Sequence, residues 1–136
     1  MPAIDLTIAA WQSSLREIGV LEFVPTESAT ERFPYWKLPD TSTFLGVLEC
    51  DALCLLADGR LCLYDHEIVN RTLCMAAPNQ TSLVAALCEM DVFFERCADD
   101  GDLADDESAD RQMREECTKL IGGSEYAEFV QLFFWS

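Results

Sequence analysis

The sequence predicts an α+β domain with a mainly antiparallel sheet, and three observations carry that prediction. Helix-period apolar stripes stand at both ends of the chain, and short apolar runs of strand length fill its middle. Between two of those runs lies Asp58-Gly59, a dipeptide that tolerates the positive φ angles of a tight hairpin. Helix, then strands joined by hairpin turns, then helices is the order of an α+β domain.

Ile4, Ile8, Trp11, Leu15 and Ile18 recur at helical spacing, with Asp5 in the first turn and Gly19 where a C′ residue belongs. Leu21 to Val24 reads as a short strand stopped by Pro25, and residues 26–31 as a polar connection or a single turn. From Arg32 to Leu38, Phe33, Tyr35 and Trp36 give aromatic strand composition, but Pro34 and Pro39 restrict it to an edge or an irregular path. We read these aromatics as core filling in preference to an interface anchor. Thr43 to Glu49 is a strand leading into the hairpin.

A two-residue Asp58-Gly59 loop sets the expected register: Leu56 opposite Leu61, Leu55 opposite Cys62, Cys54 opposite Leu63 and Leu53 opposite Tyr64. Leu53, Leu55, Cys62 and Tyr64 then share one face, and Cys54, Leu56, Leu61 and Leu63 the other. Both faces are apolar, so both need cover and the hairpin belongs at the centre of the sheet. Glu67 to Ala77 reads as a turn at Asn70 and a further short strand, closed by Pro78.

Thr81 or Ser82 is expected to cap a helix running to about Cys97, with Leu83, Ala86, Leu87, Met90, Phe93, Phe94 and Cys97 on its apolar face. Residues 99–110 hold seven acids, Asp99, Asp100, Asp102, Asp105, Asp106, Glu107 and Asp110, and no base. We read this stretch as a solvated loop. A third helix follows from about Ser108, with Met113, Cys117, Leu120 and Ile121 inward, and stops at Gly122-Gly123. Ser124 opens a last helix facing inward with Tyr126, Phe129, Val130, Phe133 and Phe134.

The chain of 136 residues, half of them hydrophobic, suits a single domain over positions 1–136. Its apolar runs fall short of a membrane span, and Met-Pro-Ala-Ile-Asp is no secretion signal, so the expected location is the cytoplasm. Without export, the sequons at Asn70 and Asn79 carry no weight. The seven cysteines are scattered without a Cys-x-x-Cys pair and read as reduced core residues.

Charge is the dominant global property: 25 acidic against 9 basic residues give a net charge of −16. Both halves of the chain are acidic, so the field belongs to the whole molecule. Such a field repels nucleic acid and anionic membranes and attracts basic proteins. Plain solubility is the ordinary use of a surface of this kind, and it stands beside the binding reading.

Reactive chemistry has few candidates. The one histidine, His66, lies four residues after Cys62 but past the strand end, which disfavours a thiolate–imidazole pair. Cys50, Cys54, Cys62 and Cys74 lack the short pairing of a zinc site. Asp100-Gly-Asp102 with Asp105, Asp106 and Glu107 fails the calcium-loop ladder, because Ala104 stands at the fifth position and the required glycine is missing. No phosphate loop, nucleophile elbow or basic aromatic patch is present. We therefore expect no metal, no cofactor and no enzymatic activity.

Phe44-Leu-Gly46, Leu53 to Leu56, Asp58-Gly59-Arg60, Leu61 to Tyr64 and Ile68-Val69-Asn70-Arg-Thr72-Leu73, followed by the helix to Cys97, resemble the SMI1/KNR4-like (SUKH) superfamily, especially its SUKH-4 bacterial immunity branch. The resemblance covers roughly residues 40–97; the interval between Asn70 and the next helix and the cysteine content depart from the family pattern. It implies an α+β fold without catalytic residues that neutralises a cognate toxin, often a nuclease or nucleic-acid deaminase. The seven acids from Asp99 to Asp110 are the expected partner-binding surface. The alternative is a regulatory or scaffold module of the same fold that inhibits no toxin.

Overall fold

The computed structural model describes residues 2–34, 37–39 and 41–134. Its centre is a six-stranded antiparallel meander in chain order: β1 (Glu17–Ile18), β2 (Leu21–Phe23), β3 (Ser42–Leu48), β4 (Asp51–Leu56), β5 (Leu61–Tyr64) and β6 (Thr72–Ala77). The expected α+β class and the central position of the β4–β5 hairpin are what the structure has.

The hairpin register differs by one residue from the expected one. Leu55 pairs with Leu61, Cys54 with Cys62, Leu53 with Leu63 and Ala52 with Tyr64. The loop holds three residues, because the Asp58 carboxylate accepts hydrogen bonds from the Arg60 backbone N–H (3.0 Å) and Nε (2.8 Å). Gly59, at φ +92°, donates its N–H to Leu56, and Leu56 donates to the Arg60 carbonyl. The one-residue slip sorts the side chains by kind: Leu53, Leu55, Leu61 and Leu63 take one face, and Ala52, Cys54, Cys62 and Tyr64 the other.

The leucine face carries the main core, covered by α1 (Leu6–Ser14), α3 (Gln80–Asp99), α5 (Glu107–Ile121) and α6 (Ala127–Gln131). Its aromatic end sets Phe94 tilted against Phe134, with centroids 5.5 Å apart, and Phe129 edge-on to Phe133 at 5.3 Å. The other face is covered by a strap that begins with a 3₁₀ turn at Thr26–Ser28 and α2 (Ala29–Arg32) and brings down Ala29, Phe33 and Leu38. Phe33 is thus core, as expected; Tyr35 and Trp36 lie outside the described residues.

Helix α1 ends four residues before Ile18. Leu15, at φ 54°, is its left-handed cap and is exposed. Ile18 instead pairs with Leu21 across a two-residue Gly19-Val20 loop, so Gly19 (φ +58°) serves a hairpin and not a helix end. Buried Gln12 ties α1 to the sheet by donating Nε2 hydrogen bonds to the Val24 carbonyl (2.9 Å) and the Thr26 hydroxyl (3.1 Å). Gly46 sits where a Cβ would meet the Glu22 carbonyl oxygen at 2.6 Å, so only glycine lets β2 and β3 approach this closely.

At the far edge, β6 pairs with β5 through two register shifts, irregularities of the kind that discourage edge-to-edge pairing. Asn79, not Thr81 or Ser82, caps α3 by accepting from the Ser82 N–H at 2.8 Å. Among the described residues no helix is long and apolar enough to cross a membrane.

Candidate functional site

The acidic stretch is not a loop. Asp99 ends α3, a four-residue helix α4 (Gly101–Ala104) follows, and α5 begins at Glu107. The physical reason is capping: aspartate is poor inside a helix but among the best residues just before one. The Asp100 carboxylate accepts from the N–H groups of Asp102 (3.1 Å) and Leu103 (3.3 Å). Asp106 does the same for Ser108 (3.0 Å) and Ala109 (3.1 Å). Asp102 lies in the first turn of α4, and Glu107 and Asp110 in the first turn of α5, where the helix dipole favours negative charge.

This turn sends α5 back along α3, with Cys117 Sγ 3.9 Å from the Ala86 carbonyl oxygen. Met113, Cys117 and Ile121 face the core as expected, while Leu120 is exposed. The seven carboxylates are therefore gathered at one helical corner, six exposed and Asp110 half-buried. A fixed corner of this kind presents charge without first having to order a loop.

A second group of polar side chains meets at the open end of the β4–β5 hairpin. The pairing of Ala52 with Tyr64 continues outward and brings Asp51 beside Asp65 and His66. Asp51 Oδ1 accepts from the His66 backbone N–H at 3.1 Å and stands 2.8 Å from its Nδ1. That contact, before the nearby charges, raises the His66 pKa above its usual value. Asp65 accepts from the Glu67 N–H at 2.7 Å and is held below the usual carboxylate range, chiefly by that bond. Arg71 Nη1 lies 3.4 Å from Asp65 Oδ2. Beside His66 opens a groove of about 330 Å³ that Val47, Glu49 and Cys50 also line.

The cysteines divide. Cys54, Cys62 and Cys117 are buried, as expected of core residues, but Cys50 and Cys88 are exposed. Desolvation pushes the Cys62 thiol up to about 11 and the Cys117 thiol to about 12, and the Cys54 thiol also rises. Cys62 thus offers His66 no ready thiolate. Sequence reasoning missed the meeting of Asp51, Asp65 and His66, although the hairpin pairing, extended past its last apolar residue, would have found it.

No protein-family model, curated protein or solved structure matches the chain.

Proposed function

We propose that this protein is a cytoplasmic binding protein of the immunity kind that the SUKH-4 resemblance implies. It covers the active site or substrate groove of a cognate basic toxin that acts on nucleic acid. The observation that carries the reading is the corner formed by Asp99, Asp100, Asp102, Asp105, Asp106, Glu107 and Asp110, seven acids with no base among them on capped helices. A nuclease or deaminase binds phosphates through Lys and Arg, and a rigid acidic surface competes for that same groove. The net charge of −16 adds long-range attraction, which raises the association rate most at low salt.

The test takes the product of the neighbouring reading frame and measures complex formation and residual nuclease or deaminase activity as the acidic protein is added. The reading expects saturable inhibition at an equimolar ratio, and an association rate that falls steeply with salt and with Asp→Asn replacement at the corner. A complex that leaves the toxin fully active would overturn inhibition and favour the scaffold alternative. Inhibition unchanged by neutralising all seven acids would remove the corner from the interface.

A further inference from the structure

Asp51, Asp65 and His66 are, among the described residues, the one group of three His, Cys, Asp or Glu side chains whose donor atoms converge, all within 4.8 Å of one another. We propose that these three residues bind a divalent transition-metal cation of the zinc class, with further coordination positions left to solvent. The site lies apart from the acidic corner and does not depend on the partner reading.

Four features of the geometry support it. The donors are held before any ion arrives: backbone N–H groups of His66 and Glu67 fix the two carboxylates. The donor set is mixed, and imidazole selects d-block cations, whereas magnesium and calcium favour shells of oxygen. Ligands about 2.0–2.1 Å from one ion stand about 3.3 Å apart in a tetrahedral site; the 2.8 Å between Asp51 Oδ1 and His66 Nδ1 must open slightly and the other spacings, all within 4.8 Å, must close, which side-chain movements of about 1 Å achieve. Access is open, since the His66 side chain is 40% exposed and flanks the groove lined by Glu49 and Cys50.

The electrostatic balance also favours a cation. Three carboxylates, those of Asp51, Asp65 and Glu67 (Oε1 3.4 Å from His66 Nε2), surround the imidazole, while Arg71, more than half exposed, stands 3.4 Å from Asp65 Oδ2 and Arg32, which lines the groove, is paired with Glu22. On binding, the ion takes the place of the proton between Asp51 Oδ1 and His66 Nδ1 and accepts a further lone pair from an Asp65 carboxylate oxygen, while the displaced proton leaves to solvent.

Because His66 is the only histidine, its imidazole gives a single set of ring ¹H–¹⁵N signals, and these are the direct probe. Zn²⁺ is titrated into the full chain, with calorimetry for stoichiometry. The expected result is a saturable shift of the ring signals at one ion per chain, with Asp51→Asn and Asp65→Asn each weakening binding by about tenfold or more. Mg²⁺ at the same concentration is expected to leave the ring unmoved, and Cys50→Ser to leave Zn²⁺ affinity unchanged. The proposal fails if excess Zn²⁺ does not move the ring signals, if both Asn variants bind as tightly as the parent, or if Cys50→Ser abolishes binding. A ring shift equal with Mg²⁺ overturns the zinc-class assignment. Should one Asn variant unfold, the parent's ring signals and the other variant still decide.

Discussion

Asp106 separates what an acidic residue does for this fold from what its charge does for a partner. Its carboxylate accepts from two N–H groups at the start of α5, and its charge sits against the positive end of that helix. Replacing it by alanine removes both contributions: about 1 kcal/mol for the cap and about 0.3–1 kcal/mol for the charge at low salt. A chain of this size loses roughly 3–5 °C of Tm per kcal/mol, so Asp106→Ala is expected to lower Tm by roughly 4–10 °C. Asparagine keeps an oxygen for the same N–H groups and loses only the charge, so Asp106→Asn is expected to cost roughly 1–5 °C. Thermal scans at low and high salt distinguish the two contributions: added salt should erase most of the Asn deficit yet leave about 1 kcal/mol between Asn and Ala. Equal Tm values for the two variants at every salt concentration would refute the cap and return Asp106 to an ordinary exposed charge.

Three further perturbations follow from individual contacts. Gln12→Leu removes the amide donor to the buried Val24 carbonyl and should cost about 1–3 kcal/mol in denaturant unfolding; a neutral result would mean that carbonyl has another donor. Gly46→Ala drives a Cβ into the Glu22 carbonyl and should cost about 1–3 kcal/mol, with loss of amide-exchange protection concentrated in β2; undiminished protection there would argue against the close approach. His66 has a folded pKa raised above its ordinary 6.5, so the stability it gains from Asp51 is fully present below about pH 6.5 and lost as pH rises through the folded value. In metal-free buffer, the stability difference between the parent and Asp51→Asn should shrink as pH rises across that window; a difference that grows would reverse the assignment.

Much of the architecture was legible because burial follows period. The apolar face of α3 emerges as the spacing of Leu83, Ala86, Leu87, Met90 and Phe93 requires, and Tyr126, Phe129, Val130, Phe133 and Phe134 are buried as expected. The last helix, however, is shorter than its spacing predicts: Ser124–Tyr126 is a 3₁₀ turn without a side-chain cap, and only Ala127–Gln131 is α-helical. The departures occur where a side chain competes with the backbone pattern. Asp58 reaches the Arg60 N–H and adds a residue to the hairpin loop, so the register slips and each strand's partners change while both faces remain apolar. Ile18 keeps helical spacing from Ile8 yet is drawn into β1, because Gly19-Val20 makes a hairpin loop that joins it to Leu21. The acidic stretch looked like a loop because its composition disfavours helix interiors; capping is set by single positions, Asp100 and Asp106, which composition averages away.

The same capping changes how the net charge of −16 bears on function. Asp5 caps α1, Asp100 caps α4 and Asp106 caps α5, while Asp65 is engaged by backbone N–H groups beyond β5. Part of the negative charge is thus explained by the fold, and an acidic composition alone is weak evidence for a basic partner. Asp99, Asp102, Asp105, Glu107 and Asp110 have no cap to make, so they are the five whose neutralisation tests the partner reading with least disturbance to the helices. Replacing these five by their amides should leave the Asp100 and Asp106 caps in place while slowing capture of a basic toxin, most strongly at low salt. If instead the two capping positions, changed to asparagine, account for the whole loss of association rate, the corner would act through the charge at its helix ends and the five would be surface solubility alone.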